Sequence, residues 1–266
     1  MEQFKPVCVE WKSQGLKELP EIVPNVTYLR CGWNHLETIP TLPSGLTGLE
    51  CPHNQIKTLP ELPEGLWNMD VSNNPLTSLP NLPPSLKYLV VNGNNLFEIP
   101  ELPPKLGSLS CANNPNLSRL PHFPPEMNFL SCRGSPIKDI PPLPNRLQSL
   151  YVGSPRTIPP IPKNVMMFVI STDRLDDASF KHVMDHLHHL APKQFADNPY
   201  RGTVMDEILR CTQHGHRMRV LKYMYDSPYF DKVHVMERKV KTRMICKNLR
   251  QLMNADVMSY LMSFVF

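Results

Sequence analysis

Apolar residues in the first two thirds of the chain recur in columns. Leu29, Leu49, Met69, Leu89, Leu109, Leu130 and Leu150 form one column, and Cys31, Cys51, Val71, Val91, Cys111, Cys132 and Val152 form a second, two residues on. Side chains two apart point the same way from an extended chain, so each unit is predicted to hold one short strand. In the unit LPELPEGLWNMDVSNNPLTSLP that strand falls near Asn68 to Val71. Asn34, Asn54, Asn74, Asn94 and Asn114 follow in step, with Ser135 in sixth place; two residues later come Leu36, Ile56, Leu76, Leu96, Leu117 and Ile137, inward again.

Leu/Ile-Pro pairs end at Pro20, Pro40, Pro60, Pro80, Pro100, Pro121, Pro141 and Pro159, so the spacing is twenty, once twenty-one, then twenty and eighteen. A fixed period this short marks a solenoid, whose units bury an apolar face only by stacking on neighbours. The asparagine column stands where the chain leaves the strand. A buried amide there is expected to bond the backbone of its own turn and of the next repeat. The 30 prolines, against 11 glycines, fall on the return path, where the chain is extended and lacks a ladder that would need their missing N–H. Their periodicity, with 41% hydrophobic residues, argues for an ordered fold rather than a linker.

The columns LxxLxVxxNxLxxLPxLP resemble the leucine-rich repeat family over residues 7–171. They are most similar to its short, proline-marked subtype in bacterial type-III-secreted effectors, and similar repeats occur in proteins of large DNA viruses. The resemblance implies a curved parallel sheet on a concave side and extended, polyproline-like segments on a convex side. Val9, Trp11, Gln14, Leu16 and Leu19 fit the columns loosely, so Val7–Trp11 is expected to be a capping strand. The reading is therefore a solenoid over 1–171 and an α-helical domain over 172–266.

Outward strand positions would line the concave face. Their mixture of aromatics with few charges suits a protein partner, where aromatic anchors dominate binding, better than a phosphate track. The candidate partner-binding residues are Tyr28, Arg30, Trp33, Glu50, Asp70, Tyr88, Phe129 and Tyr151. Cys31, Cys51, Cys111 and Cys132 share an inward column that valine fills elsewhere, and so are expected to pack as small apolar residues.

After Ser171 the period stops. Phe180, Val183, Met184, Leu187, Leu190 and Ala191 follow helical spacing up to Pro192, and further helices are expected to follow. His182, His186 and His189 lie off that stripe and are expected in solvent, without metal. Residues 201–266 hold 12 Lys+Arg against 6 Asp+Glu, whereas 1–170 hold 13 of each. That surplus makes a nucleic-acid partner a secondary alternative.

Ligases of the effector type use a cysteine in a Cys-x-Asp motif. Here Cys211 precedes Thr212-Gln213 and Cys246 precedes Lys247-Asn248. We therefore expect no catalysis and no cofactor; a thiol enzyme using Cys211 or Cys246 is the alternative. Without a run of 18 apolar residues, a membrane span is not expected. Seven unpaired cysteines point to a reducing compartment, the cytoplasm, host cytoplasm or a virion. The expected function is a non-enzymatic protein-interaction module, as an adaptor or part of a larger, viral assembly, with no small-molecule substrate.

Overall fold

The computed structural model describes residues 7–170, 174–183 and 185–186. Among the described residues nine strands lie in one parallel sheet, in chain order: β1 (Val7–Glu10), β2 (Val26–Arg30), β3 (Gly48–Glu50), β4 (Asn68–Asp70), β5 (Tyr88–Val90), β6 (Ser108–Ser110), β7 (Phe129–Ser131), β8 (Ser149–Tyr151) and β9 (Met167–Val169). Each strand pairs with its equivalent one repeat on, so Leu29, Leu49, Met69, Leu89, Leu109, Leu130 and Leu150 stand opposite one another. All seven are fully buried. At roughly 1.5–3 kcal/mol for each enclosed Leu or Ile, this row is a main source of stability.

A further buried row escapes a reading based on strand alternation alone. Val26, Leu46, Leu66, Leu86, Leu106, Met127, Leu147 and Val165 enter the core just before or at the start of each strand. Each donates its N–H to a residue three earlier: Val23 in the first case, and Pro43, Pro63, Pro83, Pro103, Pro124, Pro144 and Pro162 in the rest. The prolines thus lack a donor where none is needed, and their carbonyls close the turn that aims the next leucine inward.

The asparagine ladder forms, but it runs backwards from the expectation. Asn74 Nδ2 donates to the carbonyls of Val71 and Ser72 in its own turn and of Cys51 in the preceding repeat. Its Oδ1 accepts the N–H of Ile56, again one repeat earlier. Asn34, Asn54, Asn94 and Asn114 repeat the arrangement. The reason is geometric: the turn ends on the side of the repeat already laid down. Ser135 does part of the work of asparagine, donating to Cys111 O and accepting from Asn114 N.

At one edge of the described sheet lies β1, whose Val9 and Glu10 pair with Leu29 and Arg30. At the other end a helix, α1, starts at 177; its described residues are 177–183 and 185–186. Asp176 caps it, accepting the N–H of Ser179 at 2.8 Å. These bonds to Ser179 hold the Asp176 carboxyl below its ordinary range.

The solvated histidines of the sequence reading are corrected here. His186 is buried and donates through Nε2 to Val165 O at 2.8 Å, while half-buried His182 donates through Nδ1 to Ile158 O at 3.0 Å. Ser179 Oγ accepts the N–H of Ile158. Each of these backbone groups belongs to the last described turns of the solenoid, where, among the described residues, no further repeat supplies an asparagine. The face α1 packs with therefore has to be partly polar, and a stripe read from apolar spacing misses its polar half.

Candidate functional site

Two outward rows cross the sheet. One reads Tyr28, Gly48, Asn68, Tyr88, Ser108, Phe129, Ser149, Met167, and the other Arg30, Glu50, Asp70, Val90, Ser110, Ser131, Tyr151, Val169. Seven of the eight candidate residues lie in these rows; Trp33 sits beyond them, where the chain turns away.

On β2–β4 the side chains are locked to one another. Tyr28 lies flat over Gly48, so close that a Cβ there would fall 2.1 Å from its ring. Its hydroxyl donates to Glu50 Oε1 at 2.5 Å and accepts from Asn68 Nδ2 at 2.5 Å. Arg30 Nε donates to Glu50 Oε2 at 3.1 Å and its guanidinium stands 5.0 Å from the Tyr28 ring. Burial, then the Glu50 carboxylate, raises the Tyr28 phenol above its ordinary value, and Glu50 raises Arg30. Asp70 accepts the N–H of Ser72.

Beyond the strands a column with positive φ turns the chain: Ser13, Trp33, His53, Asn73, Gly93, Asn113 and Gly134. Asn and Gly suit this left-handed conformation, whereas Trp33 and His53, both at φ 55°, carry a strain of about 1–2 kcal/mol. Their rings stack at 4.6 Å, with Lys12 Nζ 4.4 Å from the Trp33 ring and Asn73 within 3.1 Å of His53 Nε2. Stack and cation contact return about 1–2 kcal/mol, which offsets in part a strain of about 1–2 kcal/mol at each of the two residues. Trp33 is thus first a staple between repeats, though about half its surface stays exposed.

On β5–β8 the outward side chains are freer. Tyr88 is 46% exposed and meets Trp67 edge-on at 5.8 Å. Phe129 meets Tyr151 at 5.7 Å. Trp67, one residue before the strand row, escaped the sequence reading, although an aromatic that interrupts the column Thr27, Thr47, Lys87 was a signal for it.

The cysteine column packs as expected. Cys31, Cys51, Cys111 and Cys132 are buried, free thiols. A hydrogen bond to Cys31 and burial push the Cys51 thiol well above its ordinary value; burial does the same at Cys111 and pushes Cys132 up to about 12. Among the described residues no three His, Cys, Asp or Glu side chains gather as a metal site. Nor, among them, is any helix long and apolar enough to cross a membrane. Cys211, Cys246, His188, His189, the basic surplus and the further helices lie outside the described residues.

No family model and no curated protein matches the chain. Solved structures do. YopM from Yersinia enterocolitica WA-314 is 32% identical over 62% of this chain, with a TM-score of 0.58; the match spans 38% of that protein. A Shigella effector leucine-rich repeat domain is 26% identical over 71% of this chain and 76% of its own length, with a TM-score of 0.53. The described chain is a parallel β-solenoid, similar to leucine-rich repeat structures of bacterial effectors.

Proposed function

We propose that this chain is a non-enzymatic protein-interaction module that binds a protein partner on the outward face of its sheet, the face expected to be concave. The observation that carries this is the set of large side chains left exposed along the outward side of a sheet whose other face is sealed: Tyr88 in a strand row, Trp67 one residue before the strand row and Trp33 in the turn beyond. A solenoid presents such a face at fixed spacing without reordering, which lowers the entropic cost of binding. The thiols of the repeat column are buried and protonated, so they offer no nucleophile. The role is that of an adaptor or a structural part of a larger assembly, in the cytoplasm of a host or in a virion.

Replacing Phe129 or Tyr88 by a photo-crosslinking phenylalanine analogue tests this in cells. Illumination is expected to yield a discrete protein adduct from either position and none from Lys57, away from the sheet face. Adducts from Lys57 alone would overturn the reading.

A further inference from the structure

The outward face has two halves of different chemistry. On β2–β4 its charges are used internally, Glu50 by Tyr28 and Arg30 and Asp70 by the Ser72 backbone. On β5–β9 the two rows hold no charge: Tyr88, Ser108, Phe129, Ser149 and Met167 in one, Val90, Ser110, Ser131, Tyr151 and Val169 in the other. Two aromatic ridges rise there, Trp67 with Tyr88 and Phe129 with Tyr151. Between Tyr88 and Phe129 runs only β6, which turns Ser108 and Ser110 outward. At about 4.8 Å per strand the two rings stand on strands roughly 10 Å apart, so they flank a slot with a serine floor. Ser110 is bonded to Asn92, whereas the hydroxyls of Ser108, Ser131 and Ser149 make no hydrogen bond among the described residues. At the margins stand Lys87, one residue before Tyr88, and Arg133, two after Ser131, both exposed and in no ion pair among the described residues.

We infer that this slot anchors a protein segment with a large uncharged side chain at its centre and acidic residues at its flanks. The inference rests on the reading that the sheet face binds protein. An anion pressed between Tyr88 and Phe129 would lose its hydration and gain only hydroxyls, and a cation, which the ring faces could attract, would be repelled by Lys87 and Arg133 at the margins. An uncharged aromatic or aliphatic side chain instead buries itself against rigid rings, which give up little entropy. The serine hydroxyls are left to bond the backbone of the segment. Lys87 and Arg133 supply the cationic rim that favours acidic flanks and speeds encounter.

The test uses the full chain, immobilised, with a phage-displayed library of random linear peptides as probe. Enriched peptides are expected to share one large uncharged residue flanked by Asp or Glu. Ser110→Arg and Tyr88→Ala should each weaken them at least about tenfold, and Lys57→Ala should not. Lys87→Glu with Arg133→Glu should slow association at low salt. Each variant is first shown to melt cooperatively, and Ser108→Glu, on the same slot floor, replaces Ser110→Arg if that chain does not fold. Peptides rich in Lys or Arg, or an oligonucleotide that displaces the peptides, would overturn the slot chemistry. Binders lost to Arg30→Glu but indifferent to Ser110→Arg overturn the slot and leave the sheet face as the site. Binders indifferent to every sheet-face variant, or no enrichment at all, overturn both.

Discussion

Asn74 Nδ2 donates 3.1 Å to the carbonyl of Cys51, twenty-three residues earlier in the chain and one repeat away in the stack. With the Ile56 N–H held on its Oδ1, a single amide fastens the turn of one repeat to the strand and turn of another. Asn74→Ala leaves the buried Ile56 N–H without a partner and takes one of two donors from Cys51 O, Val71 O and Ser72 O, which keep Asn54, Asn94 and His53 N–H. We expect a loss of about 1–3 kcal/mol, the cost of one such orphaned group. Asn74→Ser should lose less, because Ser135 already holds Cys111 O in the same way. Urea titrations of the two variants decide the order, and an unchanged midpoint for the alanine would refute the ladder.

Gly48 exists to receive the Tyr28 ring. Gly48→Ala is expected to cost about 1–3 kcal/mol, as overpacking does. In a Tyr28→Ala background the same change should be nearly neutral. A double-mutant cycle by thermal melting measures the difference, and an additive pair would mean the ring is not pinned there.

The strained staple at Trp33 and His53 gives a third expectation. His53→Asn relaxes the backbone by about 1 kcal/mol and forfeits a stack of similar size. Net stability should move by less than about 1 kcal/mol. His53→Ala loses the stack without a comparable gain in backbone freedom and should be the less stable of the two, which melting temperatures resolve.

The thiols give a pH dependence. Cys51, Cys111 and Cys132 are raised in the folded state, so their neutral form is the native one. The stability they contribute is complete below the ordinary thiol value near 9, and it is lost as pH climbs from there towards about 12 at Cys132. In a variant with Cys8, Cys211 and Cys246 changed to serine, four of the seven cysteines remain. A thiol reagent at pH 8 should detect none of them until urea unfolds the chain. Rapid reaction of any one in the folded protein contradicts the packed column.

At the far end, Ser179→Ala and His186→Ala each remove the partner of a backbone group in the last repeat, Ile158 N–H and Val165 O. Each should cost about 1–3 kcal/mol. Hydrogen exchange should then quicken first at Ile158, far from β2. Uniform loss of protection along the sheet would argue against a local cap.

The solenoid was legible from residues alone because burial in a stack of identical units imposes one chemical demand at one spacing. Leu49 must be apolar because Leu29 and Met69 are its neighbours, and Asn54 must carry both donor and acceptor because its turn offers both partners. The candidate face was half legible: alternation placed Tyr28, Arg30, Tyr88 and Phe129 outward, but not which of them are free. That Glu50 is held by Tyr28 and Arg30, whereas Tyr88 and Phe129 flank an uncharged floor, depends on side chains twenty to forty residues apart, whose pairing no local period contains.

His186 marks the same boundary. Its spacing on α1 is a property of the sequence, and apolar periodicity assigns it to water. What buries it is the open end of the last repeat, whose carbonyls demand a donor once the asparagines stop. The chain by itself determined the repeat, the strand positions and the inward columns of Leu49, Cys51 and Ile56, because those follow from contacts between equivalent residues. Tertiary structure decided which polar groups are consumed and which remain, because that depends on where the stack ends and on which neighbours each side chain can reach.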